Sequence, residues 1–128
     1  MDKKPIISDK APKAIGPYSA AIQTGDLVYT SGQIGLDPQT GNLVTGGIEA
    51  ETRQALNNLK HVLEAASSSL NEVVKTTIFL KEMADFAKVN AIYAEFFTEN
   101  PPARSTVAVS DLPKSACIEI EAVALCKK

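Results

Sequence analysis

From Ile48 to Ala66, apolar residues recur at Ile48, Ala55, Leu56, Leu59, Val62, Leu63 and Ala66. That spacing predicts an amphipathic helix with one buried stripe. Glu51, Asn58, Lys60, His61 and Glu64 are expected on its polar face, and Ser67-Ser68-Ser69 ends it. Phe86, Val89, Tyr93, Phe96 and Phe97 form a second helical stripe. Asp85 at its start suits the helix dipole, and Pro101-Pro102 forbid its continuation. Between the stripes, Val73–Leu80 is β-branched and apolar on both faces, as an interior strand should be.

The rest of the pattern alternates. Ala20–Thr24 and Leu27–Ser31 flank Gly25-Asp26, which signals a tight hairpin. The turn formers of Gly35-Leu36-Asp37-Pro38-Gln39-Thr40-Gly41 predict a loop. Ser105–Val109 and Ile118–Leu125 read as two final strands, joined through Asp111-Leu112-Pro113-Lys114. Strands, helix, strand, helix and strands predict one α+β domain over 1–128, a mixed sheet with both helices on one face and right-handed crossovers. On the last strand Ile118, Ile120, Ala122, Ala124 and Cys126 share the face that packs under the helices. Cys117, Glu119, Glu121, Val123 and Leu125 share the other, and no third helix is predicted to cover it. Uncovered apolar sheet surface points to self-association.

Composition narrows the class. The 128 residues are 45% hydrophobic and 22% charged, with a formal net charge of −2, which suits an ordinary folded domain. No basic patch supports nucleic-acid binding. No apolar run approaches a membrane span, and Met1-Asp2-Lys3-Lys4-Pro5 leads into no signal-like segment, so a cytoplasmic protein is expected. Cys117 and Cys126 are the only cysteines. On one strand they lie roughly 30 Å apart at about 3.3 Å per residue, too far to pair. There is one histidine and no CxxC or HExxH, so a metal site is not expected.

The chemistry concentrates near the end. Arg104 sits where a strand begins, and a guanidinium fork recognises a planar carboxylate at two points. Glu119 lies in an otherwise apolar run, and such a carboxylate can hold or activate a water. Together they suggest a site that grips a small carboxylate-bearing molecule and hydrolyses a bond on it. Arg104 and Thr106 share one strand face, Glu119 and Glu121 another, so all four converge if the two strands pair. Arg104 is equally explained by an exposed ion pair to Glu99 or Asp111, and Glu119 by a solvated strand position. Glu121 is expected to be structural. Gly32 and Gly35 suit close backbone approach. Ser31 has no histidine base in reach, which weakens a serine-hydrolase reading, and His61 is expected to be solvated.

An ordered set of segments resembles the RidA (YjgF) family. They are Ala11-Pro12-Lys13-Ala14-Ile15-Gly16-Pro17-Tyr18-Ser19, Thr30-Ser31-Gly32-Gln33-Ile34, Val74-Lys75-Thr76-Thr77, Asp85-Phe86-Ala87, Pro102-Ala103-Arg104-Ser105 and Ile118-Glu119-Ile120-Glu121-Ala122. The resemblance implies a chorismate-mutase-like fold and a homotrimeric barrel with clefts between subunits. It also implies cofactor-free hydrolysis of 2-imino and 2-enamino acids to 2-oxo acids and ammonia, removing intermediates that leak from pyridoxal-phosphate enzymes. It puts carboxylate binding on Arg104, water handling on Glu119, and cleft lining on Tyr18, Ser31 and the Gly32 backbone. Thr106, counted with the substrate-binding residues, stands where many members carry cysteine, which excludes a thiol nucleophile there. The segment before Pro101 is short for the family. Similar folds also serve as small-carboxylate-binding regulators, and family members have been described as endoribonucleases or translation inhibitors.

Overall fold

The computed structural model describes residues 2–126, so Met1, Lys127 and Lys128 of the expected 1–128 domain lie outside the described residues. The elements run β1 (Lys3–Ile6), β2 (Ala21–Thr24), β3 (Leu27–Thr30), α1 (Gly47–Ala65), β4 (Val73–Leu80), α2 (Phe86–Phe96), β5 (Ala103–Ala108) and β6 (Ile118–Leu125). They form a six-stranded mixed sheet in the order β1-β2-β3-β6-β4-β5, an α+β fold. β1, the element that the apolar pattern did not announce, is a short outer strand containing lysines and Pro5. Such residues are suited to an edge that must not recruit further strands.

Gly25, at φ 57, makes the β2–β3 turn. α1 buries Ala55, Leu56, Leu59, Val62 and Leu63 completely against the sheet. It closes with Ser67 at φ 57 in the position that usually falls to glycine. Ser67 N–H donates to the Glu64 carbonyl and Ser68 N–H to the Leu63 carbonyl, a Schellman closure. α2 packs on α1 and buries Val89, Ile92 and Tyr93.

Two expectations for these elements are corrected. Glu51 and Asn58 are buried, at 6% and 0% exposed, and do not lie on a solvated face. The chain from Gln33 to Leu36 passes over that side of α1. There Asn58 donates to the Ile34 and Leu36 carbonyls, and Glu51 accepts from the Cys117 N–H. His61 is tethered to the Lys10 carbonyl at 3.1 Å through Nδ1.

The final strands are not a pair. β6 runs antiparallel between β3 and β4, and β5 pairs in parallel with β4 on the far side. Both are neighbours of β4, so the register fixes their faces. Arg104 and Thr106 stand level with Thr76 and Ile78. Ile78 stands level with Ile120, on the side where α1 and α2 cover the sheet. Glu119 and Glu121 stand level with Phe79 and Thr77 on the opposite side. Ile118, Ile120, Ala122 and Ala124 are all buried, as expected. Leu125 is 44% and Tyr29 46% exposed on the uncovered side. Cys117 and Cys126, at the two ends of β6, are free thiols.

Candidate active site

The site is built where β3 gives out. Tyr29 pairs with Val123, but pairing resumes only at Gln33, whose N–H and carbonyl both bond Ile120. One extra residue is therefore accommodated on the β3 side. Thr30 compensates by accepting the Ala122 N–H with its hydroxyl. This displacement lays Gly32 directly beneath the Glu119 side chain. A Cβ on Gly32 would meet Glu119 Oε2 at 2.3 Å and Cδ at 2.5 Å, so only glycine leaves room for the carboxylate. Gly35 is similarly pressed against the α1 backbone at Glu51, 2.8 Å from a built Cβ.

Above Glu119 opens a cleft of about 630 Å³ whose lining includes Tyr18, Ser31, Gly32, Gln33, Lys114 and Glu119. Ser31 Oγ donates its proton to the Ser19 carbonyl at 2.6 Å. Its lone pairs are therefore available to accept from a ligand. Tyr18 is 52% exposed and is no core residue; its hydroxyl accepts from the Ile15 N–H at a long 3.4 Å. Burial, reinforced by the Glu121 charge, holds the Glu119 carboxyl above its ordinary value. A carboxylate so placed takes a proton more readily near neutrality than a solvated one.

Tyr18, Ser31, Gly32 and Glu119 are thus brought together. Arg104 and Thr106 are not among them. They lie through the sheet from Glu119, and the expected convergence of Arg104 with Glu119 fails within one chain because β4 separates β5 from β6. The ion pair to Glu99 or Asp111 also fails: the one ion pair among the described residues is Arg53–Glu95, which joins the two helices. Arg104 is instead stacked, with its guanidinium carbon 4.8 Å from the Tyr93 ring centroid and 5.5 Å from that of Phe86. Thr106 Oγ1 is buried without a hydrogen-bond partner, and no other side-chain polar atom among the described residues stands so.

The cleft also takes in residues that reading the chain did not single out, chiefly Gln33, Lys13 and Lys114. Lys13 and Gln33 stand within segments that carry the family resemblance, so their signal was present. Lys114 and Ser115 follow one another at φ 56 and 57, a bend that no glycine announces. Among the described residues no group of histidine, cysteine or carboxylate side chains is arranged to hold a metal ion. Nor, among the described residues, is any helix long and apolar enough to cross a membrane.

A mixed sheet backed by two helices, with a carboxylate-floored cleft on its open side, defines a known class. The profile of the family described as Endoribonuclease L-PSP matches residues 8–126. A RutC family protein of Pyrococcus horikoshii is 55% identical over 95% of this chain and 97% of its own length. A 2-iminobutanoate/2-iminopropanoate deaminase of Mus musculus is 50% identical over 96% of this chain and 91% of its own. The crystal structure of Escherichia coli TdcF with bound serine superposes with a TM-score of 0.92 at 40% identity, covering 97% of this chain and 99% of that one. The chain belongs to the Endoribonuclease L-PSP family, which is the YjgF/RidA family.

Proposed function

We propose that the protein hydrolyses 2-imino and 2-enamino acids to 2-oxo acids and ammonia, at clefts shared between the subunits of a homotrimer. The observation that carries the reading is the Glu119 carboxylate, held above its ordinary pKa and laid over Gly32 at the floor of the cleft. The relatives named 2-iminobutanoate/2-iminopropanoate deaminase, near 50% identity over nearly the whole chain, support the substrate class.

The steps balance with water alone. An enamine takes a proton at carbon and becomes the imine. Arg104 of a neighbouring subunit clamps the carboxylate through its fork. Glu119 takes a proton from a water as the oxygen bonds to the carbon of the protonated imine, and the C=N pair moves onto nitrogen to give the neutral carbinolamine. Glu119 then passes that proton to the amino group and takes the hydroxyl proton as the C=O bond forms and the C–N bond breaks, so that ammonia leaves the 2-oxo acid and Glu119 releases its proton to solvent. Tyr18 and Ser31 line the path of the water and the departing nitrogen. Bound imines hydrolyse readily, so positioning and modest proton transfer suffice. An Arg104 that stands unpaired in its own chain, on the opposite face from Glu119, suits a role in a neighbour's cleft. The unpartnered Thr106 hydroxyl beside it is a further donor for the bound molecule.

Generating 2-iminopropanoate in the assay and following ammonia release tests the reading. The protein should accelerate release well above the buffer rate. A second reading, a binding-only module for small carboxylates, draws on the serine seen in the TdcF structure. It requires affinity for a 2-oxo or amino acid with no such acceleration.

A further inference from the structure

We infer that Tyr93, anchored by Thr76, is a positioning residue for Arg104: it fixes the plane of the guanidinium so that the fork faces a carboxylate. This rests on the role proposed above for Arg104. Tyr93 is 6% exposed and Thr76 fully buried. Their hydroxyls share a 2.7 Å hydrogen bond, and the Tyr93 ring lies against Phe97 at 4.5 Å between centroids. The tyrosine is therefore held both at its hydroxyl and along its ring. Thr76 stands level with Arg104 in the parallel β4–β5 register. One β4 residue thus holds the ring on which the arginine of the next strand stacks.

The contact is through the ring face. Burial is the main influence on the Tyr93 hydroxyl and raises its pKa, outweighing the lowering by Thr76 and Arg104, so the phenol stays neutral. A neutral ring attracts the cation through its quadrupole and leaves the N–H edges unused. A free arginine loses rotamer freedom when it is immobilised. Tyr93 and Phe86 take up that cost before the ligand arrives, which is what preorganisation means for affinity.

A core residue that only fills space would act independently of Arg104. The test is a double-mutant cycle on the intact assembly, reading 2-oxobutanoate affinity by calorimetry and KM and kcat for 2-iminobutanoate. Tyr93→Leu keeps bulk and removes the π face. It should weaken 2-oxobutanoate binding about fivefold to tenfold, with the loss appearing mainly in KM. Tyr93→Phe keeps the face and should recover most of that loss. In an Arg104→Gln background, Tyr93→Leu should cost nothing further. An equal loss in both backgrounds, or parent-like affinity in Tyr93→Leu while Arg104→Gln is impaired, overturns the positioning role alone. Unchanged affinity in Arg104→Gln overturns the anchor and this inference with it. Phe86→Leu, at a half-buried position on the same guanidinium, gives the same cycle should Tyr93→Leu fail to fold.

Discussion

At the scale of single residues, Gly32 and Glu119 are one device. Gly32→Ala puts a methyl where the Glu119 carboxylate now lies. The displaced atoms belong to a side chain, so the fold should survive with a small change in Tm. Hydrolysis should fall on the order of a hundredfold, as for a reacting group misplaced by about 1 Å; unchanged turnover in Gly32→Ala would detach the carboxylate from the chemistry. Glu119→Gln should lower kcat by about a hundredfold or more while 2-oxo-acid binding holds. The same variant has a stability signature. The folded-state pKa of Glu119 is raised, so the native protein binds this proton more tightly than the unfolded chain. Its contribution to stability is full below the ordinary carboxyl pKa and is lost as pH rises through the raised value. Glu119→Gln should therefore gain in Tm relative to the parent between pH 4 and pH 7, and a difference that is flat or reversed across that range contradicts the buried placement. Glu119 itself was legible because a carboxylate in an apolar strand is conspicuous. That Arg104 shares a face with Thr106, and Glu119 with Glu121, was legible from parity, but how the two strands lie to each other was not, because alternation along a strand says nothing of its neighbour.

At the scale of elements, the cleft depends on how α1 holds the chain after β3. Asn58 supplies two hydrogen bonds to the Ile34 and Leu36 carbonyls, and Gln54 Nε2 donates to its Oδ1 in turn. Asn58→Ala leaves two carbonyls without their donor in a buried setting, each costing about 1–3 kcal/mol. We expect a loss on the order of 3 kcal/mol in chemical denaturation, with substrate KM raised because the cleft wall loosens. A loss under about 0.5 kcal/mol, the range of an ordinary surface substitution, would show that the loop is held by other means. The helical periodicities found α1 and α2 to within a residue or two, since those stripes depend only on local spacing. They misjudged Glu51 and Asn58 because helical spacing says which side is apolar and not what crosses the polar side. β1 carries one buried residue, Ile6, among its four, too little alternation to mark a strand.

At the scale of the whole molecule, the side of the sheet away from the helices carries Tyr29, Val123 and Leu125 on adjoining strands and is left uncovered by its own chain. The apolar surface supports the trimer, and so does the separation of Arg104 from the cleft, since closed rotational symmetry lets each copy complete its neighbour's site. Sedimentation equilibrium should give three times the 13.6 kDa chain mass, and Leu125→Lys should lower the mass and abolish hydrolysis together. A monomer that is stable and fully active at micromolar concentration contradicts the shared site. That uncovered face was foreseen from the alternation of β6, whereas the separation of Arg104 from Glu119 within one chain appears only once β4 is seen to lie between β5 and β6.

The most direct test joins these scales. Arg104→Gln and Glu119→Gln chains are each purified alone and also co-expressed, and imine hydrolysis is measured for all three preparations at equal subunit concentration. Alone, each lacks one half of every site. In random mixed trimers, about a quarter of the clefts pair an intact Arg104 from one chain with an intact Glu119 from its neighbour. The co-expressed protein should therefore recover about a quarter of parental turnover. Mixed assemblies that are no more active than the average of the two single variants would contradict a site built from two subunits.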